Sequence, residues 1–274
     1  MDSRNFRRAN CIAVFALCGI LELFRGAPCP GQTNVDPASK KNAVLASLQV
    51  PVGTILPVRI SQSFSSKNAK TGRIITGRIM QEVPLHDSAK IPKGTTVAGK
   101  ITSVEPAGQD HGGKISLVFD ELLIQDRRIP ITTNLRAIAS FVEVQFAQVP
   151  ETGPEYGTPS FWATTRQIGG DEVYGKEGVV TDQWSRTIGK STYDGVLVHV
   201  RAQPGMKCRG PLGSEDQLQA LWVFSSDACG VYGMTSVQIV HAGRTEPEGV
   251  ITLASDSRDL KVPSATGMLL RVLR

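Results

Sequence analysis

Apolar and polar residues alternate along much of the chain, in short runs that turn residues interrupt. Within residues 114–124 the apolar Ile115, Leu117 and Phe119 alternate with Lys114, Ser116 and Asp120, and Val118 interrupts the polar side. Because successive side chains of a strand point to opposite faces, this run predicts a half-buried strand. Similar runs, rich in β-branched residues, predict strands at 50–60, 73–83, 91–104, 129–144, 196–203, 220–226 and 236–243.

One short motif occurs three times, at residues 50–60, 91–101 and 262–272. Each copy has an apolar residue, Pro, any residue, a small residue and Thr, followed by a short strand that carries a basic residue. Pro fixes φ at the second position of a turn, so each copy predicts a chain reversal that leads into a strand. The copies are unequally spaced, which argues against a solenoid. We expect three strand entrances in one barrel or sandwich, with chance similarity between short turns as the alternative.

The third copy ends the chain, so residues 146–249 are expected to be an insertion. All three tryptophans and all four tyrosines of the chain lie in this segment. At 274 residues the chain is also longer than a typical single domain. We predict an all-β fold, in which residues 43–145 and 250–274 form a small barrel or sandwich and residues 146–249 form a large β-rich lobe.

The N-terminal residues are typical of an export signal. Three arginines precede an apolar stretch at residues 11–24, which Glu22 interrupts. As a helix this stretch would span about 21 Å, short of the ~30 Å hydrocarbon core, which favours a cleaved signal over a retained anchor. Cleavage is expected after Gly31, with Ala27 as the poorer alternative. The predicted signal peptide is therefore residues 1–31, followed by a flexible leader at residues 32–42.

Two cysteines, Cys208 and Cys229, remain after the predicted cleavage. The other three lie within the signal, and neither Cys18 nor Cys29 has the small preceding residue expected of a lipidated cysteine. An exported protein meets an oxidising environment, where two remaining cysteines most simply form a disulfide. We therefore predict a Cys208–Cys229 bond within the lobe; two separate buried thiols are the alternative.

The charge of the chain does not favour nucleic acid as a partner. Without residues 1–31 the chain keeps 26 of its 30 Lys and Arg and 23 of its 25 Asp and Glu, which leaves a net charge of +3. The basic residues are scattered among acidic ones and form no stripe.

Several motifs within residues 50–132 are similar to those of a known family. They are GTILPV at 53–58, GRIMQEV at 77–83, IPKGT at 91–95 and FDEL at 119–122. In these motifs the chain resembles the β-barrel core of TrbI-like proteins, the outer-membrane channel components of conjugation and type IV secretion machines. The resemblance implies a β-barrel fold and a location in the cell envelope. It covers less than a third of the chain.

No motif of the sequence predicts catalysis. Cys229 follows an apolar run as the nucleophile of caspase-like peptidases does, but His111 lies 118 residues upstream, where those enzymes place it about 50 residues away. The four histidines lack the paired spacing of a zinc site, and no nucleophile elbow, P-loop or dinucleotide-binding glycine motif occurs. We predict no catalytic, metal-binding or cofactor-binding residues.

A binding role is the leading hypothesis. The chain is expected to be a non-enzymatic envelope or secreted protein, periplasmic, outer-envelope or extracellular, that binds or scaffolds an envelope protein or a glycan. Trp162, Tyr174 and Trp184 are candidates for a ligand-stacking face. The alternative is a carbohydrate-active or peptidase-like enzyme with an unrecognised site in residues 146–249. No transmembrane helix is expected in the mature chain.

Overall fold

The computed structural model describes residues 49–158, 164–170, 172–174, 178–182, 184–200, 217–240, 248–256 and 258–274. These residues belong to one unit, Ala43–Arg274. The predicted signal peptide and leader, at residues 1–31 and 32–42, lie outside the described residues.

Short strands dominate the described chain, which confirms the predicted all-β class. The described residues include one α-helix, α1 (Phe141–Phe146), and two short 3-10 helices, His86–Ser88 and Pro154–Tyr156. The strands are β1 (Ile55–Ile60), β2 (Phe64–Ser65), β3 (Ile74–Ile79), β4 (Val83–Pro84), β5 (Lys90–Ile91), β6 (Thr96–Glu105), β7 (Lys114–Ile124), β8 (Arg127–Pro130), β9 (Thr133–Ala139), β10 (Thr164–Arg166), β11 (Glu172–Tyr174), β12 (Val179–Thr181), β13 (Thr187–Thr192), β14 (Gly195–Val198), β15 (Gln219–Ala220), β16 (Gly230–Tyr232), β17 (Val237–Ile239), β18 (Ile251–Ser255), β19 (Lys261–Val262) and β20 (Gly267–Val272).

Ten strands form one large sheet in the order β16-β9-β20-β1-β3-β6-β7-β18-β17, with β8 also paired to β7. All its pairs are antiparallel except β16 with β9. The strands that follow the three motif copies, β1, β6 and β20, all belong to this sheet, as the repeat predicts. Of the predicted barrel or sandwich, a closed barrel is not formed by the described residues, because the end strands β16 and β17 form no ladder with each other.

The three motif copies share their backbone conformation. The small residue of each copy, Gly53, Gly94 or Ala265, has a positive φ of 89°, 84° or 63°. In the first two copies the Thr hydroxyl donates a hydrogen bond of 2.7 Å to the carbonyl of the Pro three residues earlier. The left-handed position explains why two of the three copies have Gly there, since a Cβ atom would approach the carbonyl oxygen that follows.

A second sheet is built from the region predicted to be an insertion. It has six antiparallel strands, β10 to β15, in chain order. Two further strands of the same region, β16 and β17, instead join the large sheet at its two ends. The region therefore contributes to both sheets, and its treatment as a separate lobe stays a prediction.

The two sheets meet through β1, β9 and β20. One face of these strands, with Leu56, Leu135 and Leu270, packs into the core of the large sheet. The opposite face, with Ile55 and Leu269, packs into a second core with residues of the six-stranded sheet and its neighbours. The other members of that second core are Ala137, Ala139, Val144, Ile168, Val173, Val180, Ile188, Val196, Val198, Val200, Leu221, Trp222, Val223, Phe224 and Ala228.

Buried glutamine side chains connect the two sheets. Gln219 of β15 accepts a hydrogen bond from the backbone N–H of Ile55 in β1 at 3.0 Å. In the reverse direction, Gln81 accepts one from the N–H of Trp222 at 2.7 Å and donates one to the carbonyl of Val196 at 2.9 Å. These bonds give partners to the buried N–H groups of Ile55 and Trp222, and they connect the second sheet to the first.

Two predicted strands are wrong in part. The run predicted at 129–144 ends as a strand at Ala139, and α1 follows because Ser140 caps it: the Ser140 hydroxyl accepts a hydrogen bond from the N–H of Glu143. The run at 220–226 leaves the sheet after Ala220, where Trp222 has a φ of 55° and its N–H is bound by Gln81. In both places a side-chain hydrogen bond outweighs the strand propensity of the apolar residues.

Candidate functional site

Trp184 is the one residue of the predicted ligand-stacking face whose side chain is described. Trp162 lies outside the described residues, and so does the side chain of Tyr174, whose backbone ends β11. Whether the three aromatic residues meet stays a prediction. Trp184 itself lies in the hairpin turn between β12 and β13 and is 57% exposed.

The carboxylate of Asp182 holds the Trp184 turn in place. Its Oδ1 accepts hydrogen bonds of 3.0 Å from the backbone N–H groups of both Trp184 and Arg186. Its Oδ2 accepts one of 2.8 Å from Nε of Arg186 and lies 2.6 Å from Nη2. Between them Ser185 has a φ of 59°, which a side chain tolerates only where other contacts support it. One carboxylate thus fixes both the backbone of the turn and the guanidinium beside the indole.

Arg186 stacks on Trp184. The guanidinium carbon lies 4.6 Å from the centroid of the indole, which is cation–π geometry. A guanidinium covers only one face of a ring, so the exposed area of Trp184 is left on the other face and the edge. The indole is therefore stacked on a cation and still 57% exposed. Sequence reasoning missed Asp182 and Arg186, although an Asp two residues before the Trp is the spacing of an Asx-turn.

The hydrogen bonds of the turn also favour the ionised form of Asp182. Burial raises the pKa of this carboxyl, but the hydrogen bonds from the Arg186 side chain and from the N–H groups of Arg186 and Trp184 outweigh it, so the pKa is lowered. The turn therefore keeps its ion pair in neutral solution.

A second carboxylate, Asp227, lies within electrostatic range of the Trp184 turn. Burial is the largest effect on the pKa of Asp227 and raises it, and the charge of Asp182 also raises it. The charges of Arg136 and Arg186 lower this pKa, but the net shift is upward. Asp227 thus links the turn to Arg136, which is 5% exposed and donates a hydrogen bond of 3.3 Å to the carbonyl of Ser226.

The other described aromatic residues of residues 146–249 have different roles. Trp222 is 3% exposed and belongs to the second core. Tyr193 is 78% exposed but lies in the turn between β13 and β14, at the opposite end of β13 from Trp184. Its neighbour Asp194 forms an ion pair with Lys93. The Trp and Tyr residues are therefore divided between the core and separate surfaces, and Trp184 is distinguished by its stacked cation.

The predicted disulfide and the histidines can be placed only in part. Cys208 and His241 lie outside the described residues. Cys229 precedes β16, where its backbone N–H donates a hydrogen bond of 3.0 Å to the hydroxyl of Tyr232. Across the described part of the chain, no group of three His, Cys, Asp or Glu side chains has the geometry to hold a metal ion.

Comparison with known proteins adds no family to this picture: no family model, no curated protein and no solved structure matches the chain. Within the ranges that the structure describes, no helix is long and apolar enough to span a membrane.

Proposed function

We propose that this chain is an exported, non-enzymatic binding protein of the cell envelope, and that Trp184 is the centre of its contact surface. The observation that carries the proposal is an exposed indole held by a stacked guanidinium and an ionised carboxylate. Tryptophan and arginine are the residue types most enriched among those that dominate binding energy. A surface that is ordered before binding also loses less side-chain entropy on association.

The partner is an envelope protein or a glycan, both of which stack on an exposed indole. The resemblance of residues 50–132 to the TrbI-like barrel core supports a scaffolding role near a secretion or conjugation channel. In this chain the resembling motifs fall on or beside β1, β3, β6 and β7, four successive strands of the large sheet. A disulfide between Cys208 and Cys229 belongs to the same proposal, because it suits an oxidising compartment.

Export is tested by sequencing the N-terminus of protein recovered from the envelope fraction and from the medium. A mature chain that begins near Gln32 is expected. Recovery of the intact N-terminus, or retention of the protein in the cytosol, would contradict export.

The binding surface is tested with the purified mature protein and its Trp184→Ala variant. Both are titrated with envelope glycan fragments and with purified envelope proteins. The variant is expected to bind the partner at least about tenfold more weakly, the loss typical of a central aromatic contact. Tyr193→Ala is the matched control, since it removes an exposed aromatic residue from the other end of β13 and should bind normally. Equal loss in both variants, or none in Trp184→Ala, would exclude Trp184 as the centre.

One observation favours the alternative of a carbohydrate-active enzyme. The charge of Asp182 contributes to the pKa of Asp227, and the two pKa values are shifted in opposite directions, downward for Asp182 and upward for Asp227. A base and an acid with separated pKa values are what glycoside hydrolysis uses. Turnover of reporter glycosides by the purified protein, lost in Asp227→Asn, would favour the enzyme over the binding protein.

A further inference from the structure

A β-bulge brings three nitrogen-bearing side chains to one face of the β9–β20 ladder. Arg271 pairs with Asn134 and Leu269 with Ala137, and the register shifts between Leu269 and Leu270, which leaves Arg136 as the extra residue. Leu270, the next residue of β20 after Leu269, points into the core of the large sheet. Since side chains alternate along a strand, Arg271 and its partner Asn134 point to the opposite face, towards the second sheet.

Two of these side chains bury donors that find no acceptor. Asn134 is 4% exposed, and its Nδ2 has no hydrogen-bond partner in the described part of the chain. The Oδ1 atom of Asn134 accepts a hydrogen bond of 2.9 Å from the N–H of Leu135. This bond fixes the orientation of the amide, so that Nδ2 points away from the N–H of Leu135. Across the ladder the buried Nε of Arg271 also has no partner, and none of the ion pairs found among described residues includes Arg271.

The charges around these donors are mostly positive. Burial, and then the charge of Arg271, lower the pKa of Arg136 to about 10, while Asp227 and Tyr232 act in the opposite direction. Burial alone lowers the pKa of Arg271. Two guanidinium groups therefore repel each other across one ladder, and the carboxylate of Asp227 partly offsets the charge of Arg136.

We propose that this face binds an oxyanion, a carboxylate or a phosphate, through Nε of Arg271 and Nδ2 of Asn134, with Arg136 adding positive charge. Both contact groups are donors, and the planar guanidinium matches the geometry of such an anion. Arg271 is only partly buried, so its side chain joins the covered donors to the solvent. The site lies on β9 and β20 and does not depend on Trp184.

Thermal unfolding of the full mature chain, in phosphate, acetate or chloride at constant ionic strength, tests the site. The midpoint is expected to rise in a saturable way with phosphate, acetate or both, because a ligand that binds only the folded state stabilises it. A response to phosphate alone assigns a phosphate group, and a response to acetate assigns the carboxylate of a peptide or a sugar acid. No saturable response to either anion would overturn the proposal.

Single substitutions test which residues bind the anion. Arg271→Gln should weaken the anion response at least about tenfold, whereas Arg59→Gln, which removes an exposed arginine of the neighbouring strand β1, should leave it unchanged. Asn134→Asp replaces the Nδ2 donor with a carboxylate oxygen, which repels an added anion and can pair with Arg271 across the ladder; it should abolish the response and raise the midpoint in chloride. A lower midpoint for Asn134→Asp would show that the donors already have an acceptor within the chain, and an undiminished response in Arg271→Gln would place the anion elsewhere. Either result contradicts the site.

Discussion

At the scale of single residues, the Gln81 side chain connects the two sheets by hydrogen bonds. Its amide binds the N–H of Trp222 and the carbonyl of Val196, and Gln81 itself is 2% exposed. Gln81→Ala should lower the free energy of unfolding by about 2 kcal/mol, because the buried N–H of Trp222 loses its acceptor. Gln62→Ala is the matched control: Gln62 is only partly buried, donates to the carbonyl of Ile74, and should change stability by less than about 0.5 kcal/mol. Urea denaturation measures both, and similar values would contradict the bridging role of Gln81.

Asp227 has an effect that depends on pH. Its folded-state pKa lies above its usual value of 3.8, chiefly because of burial, so the folded chain holds this proton more tightly than the unfolded chain does. Ionisation of Asp227 therefore costs stability as the pH rises from about 4, and the cost is complete above the folded-state pKa. The stability of the wild type minus that of Asp227→Asn should fall across this range and then level off. Urea denaturation at a series of pH values measures the difference; curves that stay parallel would show that Asp227 titrates normally.

At the scale of elements, the turns that begin β1, β6 and β20 allow a paired test. Gly94 has a φ of 84°, and a Cβ there would meet nothing within 4 Å, so Gly94→Ala adds only backbone strain. It should lower stability by about 1 kcal/mol, while Ala265→Gly, which relieves an L-residue at a φ of 63°, should raise it by up to about 1 kcal/mol. Thermal and urea unfolding measure both changes. Changes of the same sign would mean that the turns do not share a conformation.

Elements also show where sequence patterns succeed and fail. The β7 run was predictable because its alternation reports directly which face is buried, and Ile115, Leu117 and Phe119 are buried as expected. The helix α1 was missed because its valines and phenylalanines have strand propensity. The signal for it was local: Ser140 and Glu143 have the spacing of a capping box.

At the scale of the whole molecule, the local sequence pattern predicts strand pairing less well than it predicts single strands. That β1, β6 and β20 share one sheet was predictable, because the repeated turn is a local motif. The pairing of β16 with β9 was not, since it joins residues about ninety positions apart through backbone bonds without a side-chain signature. The Asn134–Arg271 pair was hidden for the same reason, because only the β9–β20 register brings the two residues together.

The predicted Cys208–Cys229 disulfide concerns the whole molecule, because Cys229 immediately precedes β16 at one end of the large sheet. A bond closing a loop of about twenty residues should stabilise the fold by about 3 kcal/mol, chiefly by restricting the unfolded chain. Cys208→Ser and Cys229→Ser should each lower the unfolding midpoint of protein prepared without reductant, and by similar amounts. Reductant should lower the wild type to the same level and leave both variants unchanged. Two thiols titrating in the non-reduced wild type, or unequal variants, would contradict the bond and favour two separate cysteines.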